Sequence, residues 1–143
     1  MKTYKLTIYN TLSIIILSLM LCIHFTPWLS LYGQTYSMPY WWFTQMQYNL
    51  TDLVGFSIIY PLMWLYTCFT IPTILLYIIK KNHSKPIFSI LTSVFAVITC
   101  IASFIFTFIQ SEASLTIAPI ILAVLATANF IITIIGRKSA NNN

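Results

Sequence analysis

Four apolar stretches, each long enough as helix to cross a bilayer, alternate with short polar or aromatic segments, and every charge in the chain falls in those segments or at the ends. That pattern leaves few folds open. Hydrocarbon offers no partner to a backbone N–H or C=O, so apolar segments of about 20 residues cross it as helices whose hydrogen bonds are internal. The basic residues Lys2, Lys5, Lys80, Lys81, Lys85, Arg137 and Lys138 form three clusters, and the acids Asp52 and Glu112 lie in the two intervening segments. Lys and Arg are retained on the cytoplasmic side. The chain is therefore expected to be an all-α integral membrane protein, a four-transmembrane-helix up-down bundle with both termini inside and an aromatic-rich first outer loop. It forms a single membrane domain, 1–143, with spans at about 8–31, 53–79, 86–109 and 115–135. Outer loops fall at 32–52 and 110–114, and the cytoplasmic turn at 80–85.

Composition excludes a water-soluble domain. Charged residues make up 6% of the chain, 59% is apolar and the mean hydropathy is +0.85, against about 25% charged in soluble proteins. The net charge of +5 does not indicate nucleic acid, because each basic cluster borders an apolar span and none holds more than three cations. Anionic headgroups are the expected neighbours, and the bilayer is the first partner. Isoleucine supplies 24 residues and the chain closes on Asn141, Asn142 and Asn143, a bias that points to an AT-rich bacterium and hence to its cytoplasmic membrane, the plasma membrane of such a cell. The sequon Asn49-Leu50-Thr51 leaves a eukaryotic source open.

The first span begins like a secretory signal, but no small-x-small site follows it, and Leu21 stands where a lipobox ending at Cys22 needs a small residue. It is read as a retained helix. The outer loop carries Tyr40, Trp41, Trp42, Phe43 and Tyr48 without a basic residue. Such rings settle at the headgroup level or form a docking surface for an apolar partner. Pro61 and Pro72 are expected to kink the second span, with Ser57, Thr67 and Thr70 placed to re-satisfy freed carbonyls. Pro86 sits where the third span starts, at a position needing no donor. Ser89 with Ser93, Thr92 with Ala96 and Cys100, and Thr99 with Ser103 and Thr107 recur at four-residue spacing, which lets helices approach closely. The third span is expected at the bundle's centre. Gly136 with Arg137 and Lys138 is expected to end the fourth.

Few residues carry chemistry. His24 and Asn129 are the polar groups deepest in the expected spans. His24 with Asp52 and Glu112 would form an outer cation or proton site, while a neutral His24 bonded to a carbonyl or a Tyr is the simpler alternative. Asn129 is expected to bond across helices. No Cys-x-x-Cys and no metal-ligand spacing occurs, so no cofactor or metal is expected. The first-helix carboxylate of small four-helix multidrug exporters and the buried arginines of glutathione-type four-helix enzymes are both missing. Claudin-like tetraspans share only the topology. The function expected is non-enzymatic: protein or peptide interaction through the outer aromatic loop, as an immunity-like protein or an accessory subunit of a membrane complex. The alternative is a transport or permeation subunit working as a homo-oligomer and using His24, Asn129 and the kinked second helix.

Overall fold

The computed structural model describes residues 2–31, 34–37, 50–79, 85–109 and 113–141. Among them are four helices, α1 (Lys2–Ile23), α2 (Leu50–Ile78), α3 (Lys85–Ile109) and α4 (Ala118–Asn141), and three strands, β1 (Pro27–Leu31), β2 (Gln34–Ser37) and β3 (Ala113–Leu115). Three helices contain windows long and apolar enough to cross a membrane, Pro61–Ile78, Pro86–Ile109 and Ala118–Lys138, and α1 adds the shorter apolar helix Ile8–Ile23. These segments mark a multi-pass membrane protein. α3 lies between α2 and α4, and α1 closes against α4 and, less extensively, α2. The centre is therefore shared by α3 and α4 rather than held by α3 alone.

Burial runs opposite to that of a soluble bundle. The inward face of α3 is small and polar: Ser89, Thr92, Ser93, Ala96, Thr99, Cys100 and Ser103 are buried. Its outward face holds Ile87, Val94, Ile98, Ile101, Phe104, Ile105 and Phe108, the last 92% exposed. In α4, Ala118, Leu122, Ala126, Asn129 and Thr133 point in while Ile121, Val124, Phe130, Ile131, Ile134 and Ile135 point out. Large apolar faces turned outward are stable only against lipid, and small inward faces permit the close backbone approach that associates membrane helices. Between α2 and α3, Phe69 stacks on Phe95 with ring centroids 5.3 Å apart.

Side-chain contacts set the heights. Ser89 meets Thr133 and Thr73 meets Thr92, while Gly136 faces Tyr9 so closely that a Cβ on the glycine would lie 3.5 Å from Tyr9 Cβ. Counting about 1.5 Å per residue from the level of Arg137, Ile23 lies only about 22 Å up, short of a hydrocarbon thickness of about 30 Å. The first span was expected to stay helical to Leu31. It stops at Ile23 because the Pro27 ring would strike the carbonyl four residues back, that of Ile23, and biases Thr26 away from helical geometry. Ile23 O instead accepts from Thr26 N (3.0 Å) and Thr26 Oγ1 (2.7 Å), and His24 N and Phe25 N donate to Leu21 O and Cys22 O. The last helical carbonyls are thus satisfied by a tighter turn.

Extended chain covers the remaining height, so the fold is not purely α. The sheet order is β2-β1-β3, with both pairs antiparallel. Adjacent residues of a strand normally face opposite ways. Here Pro27 pairs with Ser37 and Leu29 with Tyr36, so Trp28 is the extra residue of a bulge, which re-aims it and allows both Trp28 and Leu29 to be buried. Trp28 is 0% exposed and its Nε1–H donates to Ser103 Oγ at 3.0 Å. Thr116 fastens β1 to the start of α4: its hydroxyl lies 2.6 Å from Pro27 O and 2.9 Å from Trp28 O, and Ala118 N donates to it at 3.4 Å. The strand Ala113–Leu115 stands where a simple tight turn was expected, and the fourth helix starts at Ala118 rather than Leu115.

One further expectation changes at the end of α4. α4 runs through Gly136 to Asn141, and that glycine packs on Tyr9 rather than ending the helix. α2 is continuous through Pro61 and Pro72. Thr67 and Thr70 bond other carbonyls than those of Ser57 and Cys68, which the prolines release: Thr67 donates to Met63 O, Thr70 to Tyr66 O and, beside them, Thr73 to Phe69 O, while the side chain of Ser57 lies outside the described residues.

Candidate functional site

The strongest polar constellation lies between α3 and α4, and the hairpin connecting them dictates its register. An antiparallel pair turning near residue 111 sets Ser89 opposite Thr133 and Ser93 opposite Asn129. Because 89 and 93, like 129 and 133, are one helical turn apart, four polar side chains meet at one level. Asn129, 0% exposed, donates from Nδ2 to Ser93 Oγ (2.9 Å), to Ser89 Oγ (3.0 Å) and, more distantly, to Ser89 O (3.3 Å). Ser89 Oγ and Thr133 Oγ1 are 2.8 Å apart.

Counting hydrogens assigns the donors. Thr133 gives its hydrogen to Asn129 O (2.8 Å) and Ser93 gives its own to Ser89 O (3.1 Å). Ser89 therefore donates to Thr133 Oγ1, and both serine oxygens face Asn129 as acceptors. The amide must point its nitrogen at them. Its oxygen is left over: Asn129 Oδ1 is buried without a hydrogen-bond partner. The cross-helix bond expected of Asn129 is present, with an unpaired acceptor beside it. Thr73 and Thr92, 3.4 Å apart, extend the polar seam to α2.

His24 lies elsewhere. It follows α1 in the turn before Pro27, is buried, and sits edge-on to Phe25, Trp64 and Tyr66 with ring centroids 5.6, 6.1 and 6.3 Å away. His24 Nδ1 and Tyr66 Oη are both buried without a hydrogen-bond partner. Asp52 is on α2 twelve residues before Trp64, about 18 Å along the helix. Glu112 and the side chain of Asp52 lie outside the described residues, as do Tyr40, Trp41, Trp42, Phe43 and Tyr48. Counted from Tyr9 and Gly136, His24 stands about 12 Å above Asn129 along the bundle, so the two polar groups form separate sites.

Sequence reasoning marked Asn129 and the serine row but passed over Trp28 and Thr116, which fix the three-stranded sheet to the bundle. The signal was Pro27, a helix breaker inside an apolar stretch. Among the described residues, no group of three His, Cys, Asp or Glu side chains converges on a metal-sized site. Cys22 and Cys68 are exposed, whereas Cys100 is buried with its thiol 3.1 Å from Pro119 O. No family model, curated protein or solved structure matches the chain.

Proposed function

We propose that the protein is a non-enzymatic interaction subunit of the cytoplasmic membrane, immunity-like or accessory to a membrane complex, which binds a protein or peptide partner through its outer aromatic segment. Both termini and the Lys80–Lys85 turn face the cytoplasm in this scheme, and the sheet faces outward. One observation carries it. The segment holding Tyr40, Trp41, Trp42, Phe43 and Tyr48 is tethered at both ends, by β2 ending at Ser37 and by α2 starting at Leu50. β2 is itself locked to the bundle through β1, whose Trp28 bonds Ser103 and whose backbone bonds Thr116. Tethering limits the entropy lost when a segment orders on a partner, and Trp and Tyr supply large contact area with few rotatable bonds.

A permeation subunit would draw on His24, Asn129 and the proline-containing α2. Against it stand the separation of the two polar groups and the engagement of both amide hydrogens of Asn129 in holding α3 to α4. The test is copurification from native membranes in mild detergent. A stoichiometric companion should be retained by His24→Ala and lost by the double variant Trp41→Ala/Trp42→Ala. Loss with His24→Ala and retention with the tryptophan pair would overturn the proposal in favour of permeation.

A further inference from the structure

Between α3 and α4, on the lipid side of the polar seam, lies a groove of about 260 Å³. Its floor is Ser93 and Ala126, both buried and small, and its rim is Val94, Ile98, Thr127 and Phe130, all exposed. The hydroxyls offer nothing to a polar ligand. Ser93 gives its hydrogen to Ser89 O and accepts from Asn129, and Thr127 donates to Ala123 O at 2.8 Å. Only an apolar occupant suits such a lining, and the volume, just below the roughly 300–1,000 Å³ of small-molecule sites, holds a chain segment rather than a whole lipid.

Charge identifies what that segment belongs to. Arg137 follows Phe130 by seven residues and Lys138 follows Thr127 by eleven, near-whole numbers of turns at about 3.6 residues each, so both cations extend from the groove's own face of α4. Both are exposed. Lys85 opens α3 at the same level, one turn beyond Ser89 as Arg137 is one turn beyond Thr133. Along α4 the groove begins about 10 Å and ends about 16 Å from Arg137 and Lys138, so it runs from inside one leaflet to about the bilayer midplane, roughly 15 Å from the headgroups. Basic pockets between membrane helices on the cytoplasmic side take anionic headgroups.

We infer that this face binds one anionic glycerophospholipid, its headgroup on Arg137 and Lys138 and one acyl chain in the groove between α3 and α4. The site is separate from the outer aromatic segment and does not depend on the function assigned to it.

The full chain in nanodiscs of equal phosphatidylglycerol and phosphatidylcholine, matched in acyl chains, is released into mild detergent and weighed by native mass spectrometry. One phosphatidylglycerol should remain bound per chain in preference to phosphatidylcholine. Arg137→Gln/Lys138→Gln should weaken that preference about 30-fold, from roughly 1 kcal/mol per cation near an anionic headgroup. Thr127→Phe, which fills the groove from an exposed rim position, should lower retention of either lipid about tenfold with helix content and melting temperature unchanged. Val94→Trp, from the opposite rim, serves where Thr127→Phe does not fold. Equal retention of the two lipids by the native chain would overturn the inference. So would phosphatidylglycerol retention that neither groove variant lowers, or a native dimer that the groove variants convert to monomer, since a second copy would then be the occupant.

Discussion

If the hydrogen count between α3 and α4 is right, Asn129 and Ser93 are strongly coupled although neither contributes much net stability through the amide as a whole. Replacing Asn129 with leucine removes two cross-helix bonds, to Ser89 Oγ and Ser93 Oγ. Such bonds are worth about 0.6 kcal/mol each on average and up to about 1.7, so the loss is about 1–3 kcal/mol. The same substitution removes the unpaired Oδ1, relieving a penalty of about 1–3 kcal/mol. The two nearly cancel, and Asn129→Leu should change stability by no more than about 1 kcal/mol. Ser93→Ala acts differently. It deletes one acceptor of Nδ2 and leaves an amide N–H buried without a partner, costing about 2 kcal/mol. Made in the Asn129→Leu background, the same change has no N–H to strand and should cost less than about 0.5 kcal/mol, giving a coupling of about 1.5 kcal/mol, well above the error of such cycles. The measurement is a double-mutant cycle by steric trapping in bicelles, with the wild-type, two single and one double variant at constant lipid composition. A loss above 3 kcal/mol for Asn129→Leu would refute the reasoning, because the amide oxygen would then have to be satisfied. So would a coupling below about 0.5 kcal/mol.

The three-stranded sheet should depend on Trp28. Trp28→Phe keeps most of the ring but not the bond to Ser103, and should cost about 1–2 kcal/mol with faster hydrogen exchange in β1 and β2 and unchanged exchange in α3 below Thr99. Trp28→Ala should cost about 3–5 kcal/mol. Thr116→Val removes the hydroxyl that faces Pro27 O and Trp28 O and accepts from Ala118 N; a loss of about 1–2 kcal/mol is expected, with faster exchange at the first turn of α4, and unaltered exchange there would contradict the capping role. Orientation is checked with His83→Cys in a chain whose Cys22, Cys68 and Cys100 are replaced by serine. A membrane-impermeant maleimide should label it in inverted vesicles and not in intact cells, and the reverse pattern would invert the bundle.

Sequence and structure agree best where a single physical rule decides the matter and diverge where two rules compete. The ends of α2 at Ile78 and of α3 at Ile109 follow from hydropathy alone, and Pro86 marks the start of α3 because a first-turn residue needs no donor. The partners of Asn129 were readable too: a hairpin of known centre, with polar residues one turn apart on both helices, leaves one register that pairs them. Between Ile8 and Leu31, however, apolar length argues for a helix that crosses the membrane unaided, while Pro27 argues for its end, and hydropathy windows do not weigh a single ring clash. Proline wins because Ile23 O finds other donors in Thr26, and because the chain beyond it can satisfy its backbone against β2 and β3. That second condition could not be foreseen from α1, since one partner strand comes from a connection 82 residues later, counted from Leu31 to Ala113. Strand pairing is a property of where distant segments are brought, and helical bonding is not. A membrane helix too short to cross is thus completed by a strand whose bulged Trp28 takes the place of another helical turn in the core. The prolines of α2 meet no such alternative, and there the helix persists through both.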